Sequence, residues 1–543
     1  MTREPGDSMS RRLGLRRISR RQALRYGAVG GAAVFVGGGV ASAQATPTAS
    51  GDTLESAIDA ILADARYAPS RLGIYVADLH TEEALVDIRG DEWFLVASTT
   101  KLFTTAAALD ALGPDYQFVT PVYRTGPIGS DGTLDGDLIL VASGDLTMGG
   151  RDTPDGQIEY TRIDHINATA FPELVTLTAQ DPLAGLNDFA RQIAESGIQQ
   201  ISGDVIIDDR LFPAIEKDGY VLTPVWINDN LIDFVVKPGE VGAAATIDWR
   251  PKSPTFQVEE NVLTVAADEP VSLRVTSPAP GQLVVEGQIP VTMAQAVPTF
   301  QIDDPSAFAR TLLIEALARA GVSVAASPGG KNPVDELPPQ GSYADADQVA
   351  ERRSLPFSEN LKLVNKTSHN QHADMLIMLL SLHNDETTFE AGMLAVRSII
   401  EQAGIDPADV ALGDGRGNLY TDLFSPHTVT RLLAYMATRP DFPAYSASLP
   451  VLGVDGTEST TVKPTSPVAG NAAAKSGTTF DDDPINQRGV VMTRALAGYL
   501  TGRSGRECVF GVYINNVPVG GLDDILTLIT EHGSIVEAIH DRT

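Results

Sequence analysis

Residues 96–109 read VASTTKLFTTAAAL, and they place Ser98 three positions before Lys101 at the start of a run of good helix formers. Gly113-Pro114 follows the run, so the sequence predicts a helix from Ser98 to about Leu112. Residues spaced by three share one face of a helix, so the hydroxyl and the amine would lie together. About one Ser-x-x-Lys is expected by chance in a chain of this length and composition. The pattern alone therefore leaves open a catalytic pair and a solvated helix face.

A catalytic pair of this kind needs help from other parts of the chain. A serine hydroxyl becomes a good nucleophile only when a base takes its proton. A lysine can be that base when burial and a second cation lower its pKa. At a helix start, the backbone N–H of Ser98 would point at a developing oxyanion. The hypothesis therefore requires a second cation and a polar relay elsewhere.

Two downstream segments supply these groups. Ser368-His369-Asn370 lies at a predicted helix start or loop, within NKTSHNQHADML. A predicted strand, NAAAKSGTTF, contains Lys475 as the second cation and Thr478, whose hydroxyl could bind a carboxylate. Gly477 in that strand would let a substrate backbone lie against it. The three motifs, in this order, form the set found in penicillin-binding proteins and β-lactamases.

The likeness extends beyond the three motifs. Further segments that resemble one known family are LVASGDLTMGG, ISGDVIIDD, SENLKLVNKTSHNQHADML, LGDGRGNLYTDLFSPHTV, SLPVLGVDGT and RALAGYL. That family is the D-alanyl-D-alanine carboxypeptidases/endopeptidases, the class C low-molecular-mass penicillin-binding proteins. The resemblance covers nearly all of residues 53–535. The 270-residue gap between Ser98 and Ser368 also fits, because that family carries two nested domains there.

The resemblance implies a role for each motif residue. It makes Ser98 the acylated nucleophile, Lys101 its general base, Ser368 the proton relay towards the leaving amine, Asn370 the group that binds the substrate amide and orients the lysine, and Lys475 with Thr478 the carboxylate-binding pair. It also implies an oxyanion hole from the backbone N–H groups of Ser98 and Thr479. Ser476 replaces the usual threonine and keeps its hydroxyl.

The implied reaction is acyl transfer through a serine ester, with water as acceptor. The implied substrate is a peptide that ends in D-Ala-D-Ala or a cross-linked wall peptide, and β-lactams should acylate Ser98. The resemblance implies no metal and no organic cofactor.

The chain departs from the family where the substrate side chain would bind. Asp145 resembles the acid that faces the amine of a peptidoglycan side chain, although a plain turn aspartate is an equal reading, and Leu146 stands where proline is usual. Tyr420 occupies the place of an arginine that helps to hold that side chain's carboxylate, and Arg416 could substitute for it. Residues 480–491, FDDDPINQRGVV, are expected to form an extra acidic loop near the entrance.

The distribution of hydrophobic patterns along the chain predicts an α/β (α+β) fold. Helical patterns lie towards both ends, and short β-branched runs lie from about 120 to 350. These runs read as antiparallel strands joined by tight turns. The resemblance specifies the fold as a penicillin-binding transpeptidase or serine β-lactamase-like domain with large, β-rich nested insertions. The expected division is an export signal at 1–43, the transpeptidase-like domain at 44–120 and 355–543, a second domain at 121–147 and 236–354, and a third at 148–235.

The first 43 residues differ from the rest of the chain. An arginine-rich start, an apolar stretch and the exit Ala41-Ser42-Ala43 have the anatomy of a cleaved export signal. The segment SRRQALR resembles a twin-arginine signal. The apolar stretch is short for a membrane span, so no integral membrane segment is expected after cleavage. An exported location, periplasmic or at the cell surface, follows from this interpretation.

Composition narrows the possible partners. The formal net charge is −30, and removing residues 1–43 brings it to −36. Such a surface repels nucleic acid and anionic lipid. Cys508, the single cysteine, lies in an apolar run and is expected to be buried filler. His369 and His372 lack a metal-ligand spacing, so helix-surface or core roles are expected.

Two other functions remain open at this point. One is a β-lactamase- or esterase-like serine hydrolase on the same fold. The other is a non-catalytic, exported cell-surface protein whose inserted domains bind wall components. The sequence also leaves open the preference between carboxypeptidase and endopeptidase action, the oligomeric state and a salt-adapted origin.

Overall fold

The computed structural model describes residues 54–543. The predicted export signal, residues 1–43, lies outside the described residues. Within residues 54–543, no helix combines the length and the apolar character that a bilayer span requires.

The helices of residues 54–543 fall mostly in the two ends of the chain. They are α1 Leu54–Ile61, α2 Lys101–Leu112, α3 Ala184–Glu195, α4 Pro305–Arg319, α5 Phe357–Lys366, α6 Asn370–His383, α7 Phe389–Gln402, α8 Pro426–Ala437, α9 Phe442–Ser448 and α10 Leu522–Arg542.

The strands are shorter in the middle of the chain than near its end. They are β1 Arg71–Asp78, β2 Ala84–Ile88, β3 Phe94–Leu95, β4 Val119–Arg124, β5 Thr133–Leu134, β6 Leu138–Val141, β7 Gln200–Ile201, β8 Val205–Asp208, β9 Ile215–Lys217, β10 Tyr220–Leu222, β11 Leu231–Lys237, β12 Thr246–Arg250, β13 Gln257–Val265, β14 Ser272–Ala279, β15 Gln282–Pro290, β16 Thr299–Gln301, β17 Ser323–Val324, β18 Gln348–Arg353, β19 Val410–Ala411, β20 Leu423–Phe424, β21 Ala472–Asp483, β22 Arg488–Thr501 and β23 Glu507–Val519.

A five-stranded antiparallel sheet joins the two ends of the chain. Its strand order is β2-β1-β23-β22-β21, so β1 from the first part pairs along its whole length with β23 from the last. Helices α1 and α10 cover one face, where Ile58 and Ile539 pack in one core with Val76 and Val512. The opposite face packs on α8 and on the turn Ala97–Thr100 that leads into α2. Cys508 in β23 is buried and free, which confirms its expected role as filler.

Helix α2 is the central element of the larger core. Each of residues 101–109 is buried, including Lys101. A helical segment that is buried on every face must be surrounded by protein. It packs against α6, α7 and α5. A 3₁₀ turn, Ala97–Thr100, precedes it, and Gly113 with φ of 82° ends it. The predicted helix from Ser98 to about Leu112 is confirmed.

The middle of the chain has a hydrophobic core of its own. The members of this core all come from residues 122–350, and Phe189 of α3, Leu312 of α4 and Phe234 of β11 are among them. Four sheets contribute to it, with the orders β18-β4-β6-β8, β12-β11-β16, β13-β15-β14 and β17-β7-β5. Helix α3 is amphipathic and turns Leu186, Phe189 and Ile193 to this core, whereas α4 is buried over nearly its whole surface and is not amphipathic.

The expectation of antiparallel strands joined by tight turns is wrong for part of this region. Strand β6 pairs in parallel with β8, and β13 pairs in parallel with β15. Parallel neighbours need a crossover rather than a tight turn. The chain between β6 and β8 contains α3, and β14 lies on the far side of β15. The alternation of apolar residues located the strands, but it carries no signal for their neighbours.

The same pairing crosses the expected internal division of the insertion. Strand β8 lies in the segment expected as the third domain, 148–235, whereas β6 belongs to the second, 121–147. Tyr220 and Trp226, also from the expected third domain, join the core around α2. The division of residues 121–354 into two nested domains stays a prediction.

The expected acidic loop at 480–491 is wrong as a description of its structure. Strands β21 and β22 continue through it as a hairpin, with Asp481 opposite Val490 and Asp483 opposite Arg488. Asp483 accepts hydrogen bonds from Arg488 at 3.0 Å and from Asn486 at 2.7 Å. These cross-strand contacts order a segment whose composition is typical of a loop.

Gly392 offers a test of the packing between α6 and α7. A Cβ on Gly392 would lie 1.9 Å from the carbonyl oxygen of Ile377, so Gly392→Ala must push the helices apart. We expect the free energy of unfolding, measured by urea denaturation, to fall by about 1–3 kcal/mol. Helix propensity alone would raise it by about 1 kcal/mol.

Ser398→Ala on the exposed face of α7 is the matched control. It should change the free energy of unfolding by no more than about 0.5 kcal/mol. A Gly392→Ala variant that is more stable than the wild type would contradict the packing of these two helices.

Candidate active site

The 3₁₀ turn before α2 presents Ser98 beside Lys101. Ser98 is partly exposed, Lys101 is fully buried, and Lys101 Nζ lies 2.8 Å from Ser98 Oγ. Ala97 has a φ of 45°, a left-handed conformation that is uncommon for alanine. Such backbone strain persists only where the surrounding structure holds it. The spacing of three therefore does bring the hydroxyl and the amine together.

The surroundings of Lys101 favour an uncharged amine. Besides Ser98, its Nζ lies 2.7 Å from Asn370 Oδ1 and 2.8 Å from the carbonyl oxygen of Arg416. Burial lowers the pKa of Lys101 well below its usual value, and the nearby Lys475 lowers it further. A neutral amine has two N–H bonds, which the two carbonyl-type oxygens accept, and one lone pair. That lone pair remains for the proton of Ser98.

The second motif lies between two helices. Ser368 connects α5 to α6 with a φ of 61°, and Asn370 is the first residue of α6. Asn370 thereby reaches Lys101, whereas Ser368 Oγ accepts a hydrogen bond from Lys475 Nζ at 3.0 Å. The turn thus directs Ser368 towards Lys475 and Asn370 towards Lys101.

The third motif lies on β21, the edge strand of the five-stranded sheet. Lys475 is fully buried, and burial lowers its pKa to about 7 although Glu458 opposes the shift. Thr478 Oγ accepts a hydrogen bond from Arg494 Nη1 at 3.1 Å, and Arg494 in turn pairs with Glu458 at 3.1 Å. A positive, donor-rich wall thus forms behind Thr478.

The packing of β21 against the turn that carries Ser98 requires a glycine at position 477. A Cβ there would lie 2.7 Å from the backbone nitrogen of Ser98 and 2.5 Å from the carbonyl oxygen of Val96. The nucleophile's own turn, rather than a substrate alone, requires a bare backbone at this position. The neighbouring Ser476 and Thr479 lie on the same strand, and the proposed role of Thr479 in an oxyanion hole stays a prediction.

A cavity of about 440 Å³ opens beside this constellation. Asn370 and Arg416 line it on one side, and Asp218, Tyr220 and Gln301 from the inserted region line the other. The insertion therefore builds part of the wall next to the second motif.

The residues expected to recognise a substrate side chain are less clearly placed. Asp145 is fully buried, and its Oδ1 accepts hydrogen bonds from the backbone N–H groups of Thr147 and Met148 at 3.1 and 3.2 Å. This geometry is that of a plain turn aspartate, one of the two roles predicted for Asp145. Tyr420 is exposed, and its hydroxyl donates to Asp481 at 3.2 Å. The recognition roles of Asp145 and Tyr420 stay predictions.

Arg416 faces the cavity but is heavily engaged. Its guanidinium lies 3.2 Å from Asp414 and 3.3 Å from Asp374, and it also pairs with Asp218. Tyr220 accepts a further hydrogen bond at 3.0 Å. Burial lowers the pKa of Arg416 to about 10. A substrate carboxylate would compete with these acids for the guanidinium.

Arg494 and Glu458 were missed by the sequence reasoning. Arg494 lies inside the apolar strand β22, and a lone arginine in such a run is itself a signal, because full burial requires a partner. Glu458, 36 residues earlier in a turn, carries no comparable signal.

Known proteins resemble this chain over most of its length. The sequence model of the D-Ala-D-Ala carboxypeptidase 3 (S13) family matches residues 54–526. A D-alanyl-D-alanine carboxypeptidase of Actinomadura sp. (strain R39) is 30% identical over 509 residues, which span 88% of this chain and 85% of the relative. D-alanyl-D-alanine carboxypeptidase DacB of Haemophilus influenzae is 27% identical over 84% of this chain and 87% of the relative. The crystal structure of penicillin binding protein 4 from Haemophilus influenzae superposes with a TM-score of 0.65 and 24% identity, over 88% of this chain and 98% of that one.

Gly477→Ala tests the close approach of β21 to the nucleophile turn. The added methyl group must displace Ser98 from the strand, and a displacement of about 1 Å can cost about 100-fold in rate. We expect acylation of Ser98 by benzylpenicillin, followed by mass spectrometry, to slow by about that factor.

Gly489→Ala is the control on the same hairpin. Its new Cβ would lie 3.2 Å from a methyl group of Val519, which can move. It should acylate at the wild-type rate. A Gly477→Ala variant that also does so would show that the strand does not constrain the nucleophile.

Proposed function

The chain belongs to the D-Ala-D-Ala carboxypeptidase 3 (S13) family, and we propose that Ser98 is the nucleophile of a serine-type D-Ala-D-Ala carboxypeptidase/endopeptidase acting on cell-wall peptides. The single observation that carries this assignment is the set of contacts around Lys101 Nζ. Because two acceptors can use both N–H bonds of the neutral amine, its lone pair is left for the Ser98 hydroxyl, whose oxygen lies 2.8 Å away.

Acylation follows from these contacts. Neutral Lys101 takes the proton of Ser98 while Oγ attacks the carbonyl carbon between the two terminal residues. The backbone N–H groups of Ser98 and Thr479 stabilise the oxyanion. The proton then passes to the leaving amine through Ser368, whose orientation Lys475 fixes. The C–N bond breaks, and the terminal D-alanine leaves.

Water completes the cycle by the reverse route. Lys101 is neutral again, because its proton has left with the amine, and it takes a proton from the water molecule that attacks the serine ester. The ester bond breaks and Ser98 recovers its proton. The steps call for no metal and no organic cofactor.

The terminal carboxylate of the substrate is proposed to bind at the third motif. Lys475 supplies a positive charge that is already desolvated, and Thr478 supplies a hydroxyl. Arg494 behind Thr478 adds a second charge within hydrogen-bond distance of that hydroxyl. Asn370 lies at the border of the cavity, where it can bind the substrate amide. The remainder of the peptide would then enter the cavity beside Asp218 and Arg416, and Ser476, Tyr420 and Asp145 are proposed as recognition residues.

β-Lactams are proposed as covalent inhibitors, because their ring carbonyl and carboxylate match the same two positions. The crystal structure of the Haemophilus influenzae penicillin binding protein 4 complexed with a β-lactam belongs to a protein of the same fold. We also propose export through the twin-arginine-like segment in residues 1–43, because the substrate class is outside the cytoplasm.

Ser98→Ala should abolish two activities together. We expect loss of D-alanine release from diacetyl-Lys-D-Ala-D-Ala and loss of the covalent adduct with benzylpenicillin, read by mass spectrometry. Wild-type protein that forms the adduct but releases no D-alanine would contradict the substrate. Rapid turnover of the penicillin adduct would favour the β-lactamase-like alternative, and Ser98→Ala with unchanged activity would contradict the catalytic assignment.

The two lysines also predict the pH dependence of the reaction. Lys475 must be protonated to bind the carboxylate, and its pKa in the free protein is lowered to about 7. Since kcat/KM reports the free protein, it should fall as pH rises above about 7. A bound carboxylate raises the pKa of Lys475, so the fall in kcat should come at higher pH.

A substrate whose terminal carboxylate is amidated provides the control, because it does not need the charge on Lys475 for binding. Its kcat/KM should be low but should decline less over the same pH range. A kcat/KM for the free-carboxylate substrate that rises steadily from pH 7 to 9 would contradict the charged state proposed for Lys475.

A further inference from the structure

The residue between the two catalytic groups of the second motif, His369, is fully buried and turned away from the reacting atoms. Its Nδ1 accepts a hydrogen bond from the backbone N–H of His372 at 3.2 Å, which caps α6. The two imidazole rings stack, with centroids 3.6 Å apart and an angle of 15° between the planes. These contacts hold the side chain of His369 in place and thereby anchor the backbone between Ser368 and Asn370.

A single carboxylate from the insertion lies against both rings. Asp229 Oδ1 is 2.8 Å from His372 Nε2 and 3.3 Å from His369 Nε2. Because His369 Nδ1 accepts a backbone N–H, the proton of a neutral His369 must be on Nε2, facing Asp229. Burial lowers the pKa of His369 to about 4, so the ring is neutral at ordinary pH.

Asp229 is itself held rigidly. Its Oδ2 accepts hydrogen bonds from Arg151 at 2.6 Å and from His165 at 2.7 Å. The turn Asn228–Asn230 has φ values of 52°, 53° and 54°, a left-handed conformation at three successive residues. Asn230 stabilises it by donating to the carbonyl oxygen of Val225 at 3.1 Å. Strain of this kind is typical of positions that a function fixes.

The charges around Asp229 balance without either stacked histidine. The buried network contains three carboxylates and three cations: Asp164, Asp229 and Asp233, with Arg151, Arg250 and His165. His165 is counted as a cation because both ring nitrogens face carboxylates at 2.7 Å, which raises its pKa to about 10. A proton on His369 or His372 would add an unbalanced charge.

A metal ion fits this cluster poorly, although ligand atoms of Asp229, His369 and His372 lie within 4.8 Å of one another. A metal on His369 Nε2 would force the ring proton onto Nδ1, where the backbone N–H of His372 already donates. Arg151 on the same carboxylate would oppose a further cation.

We infer that Asp229 is a positioning residue for the catalytic reaction: through His369 and His372 it fixes the turn that aims Ser368 at Lys475 and Asn370 at Lys101. The inserted region thereby completes the acylation machinery as well as a wall of the cavity. This inference rests on the proposed function, because it concerns the rate at which Ser98 is acylated.

The test is the acylation of Ser98 by benzylpenicillin in Asp229→Asn, resolved into the dissociation constant of the initial complex and the rate of bond formation. Asparagine cannot satisfy Arg151, His165 and both stacked rings, so the turn should relax. We expect the rate of bond formation to fall by about 100-fold, with the dissociation constant of the initial complex nearly unchanged.

Asp208→Asn is the matched control. Asp208 is an equally buried acid of the insertion, bound to Arg210 at 2.8 Å and to Tyr343 at 2.6 Å, and it does not contact the second motif. It should lower the midpoint of thermal unfolding while leaving the rate of bond formation at the wild-type value. Equal slowing in Asp208→Asn and Asp229→Asn would overturn the inference in favour of a general loss of stability.

His372 keeps the test decisive if Asp229→Asn folds poorly. Glutamine can still donate to Asp229 and leucine cannot, so His372→Gln should recover most of the rate that His372→Leu loses. Equal rates in these two variants, or a folded Asp229→Asn with the wild-type rate, would overturn the inference alone. A stoichiometric metal in the wild type that Asp229→Asn lacks would overturn it in favour of a metal site, and a wild type that penicillin never labels would overturn the proposed function together with it.

Discussion

A lysine amine kept away from water is the constraint on which the rest of the structure depends. Lys101 sits on α2, whose residues 101–109 are all buried, and three polar atoms of the described part of the chain lie within hydrogen-bond distance of its Nζ. Taking a charge out of water is costly, so burial favours the neutral amine, and the second lysine nearby favours it further. Helices α5, α6 and α7, together with the five-stranded sheet, maintain this burial because they enclose residues 101–109.

The middle of the chain, which has a hydrophobic core of its own, contributes to the same centre. It lines the cavity beside Asn370, and its Asp229 contacts His372 and lies 3.3 Å from His369 of the second motif. Two segments more than 130 residues apart in sequence thus share one buried, charge-balanced network. A buried network of this kind destabilises the protein when one partner is missing and favours a single geometry when all partners are present. It therefore suits the contact between the middle of the chain and the second motif.

The sequence predicted most helices and strands and the meeting of the three motifs because their signals are local. The helix after Ser98 follows from its helix formers and Gly113, and the motifs follow from residue types at fixed spacing. The parallel pairings of β6 and β13 were missed because strand alternation does not encode neighbours. The hairpin at 480–491 was read as a loop because its order comes from cross-strand contacts such as Asp483 with Arg488. Asp229 gave no signal at all, since an aspartate in a turn rich in Asn and Asp is common and its partners are distant in the chain.

The most direct test of the central claim is an NMR titration of protein labelled with ¹³C at the lysine side chains, which number nine in the whole chain. Lys101 should titrate well below the usual pKa of a lysine, and Lys475 near 7. Replacement by Lys101→Met assigns the signal. A Lys101 amine that stays protonated up to the usual pKa of a lysine would contradict the account.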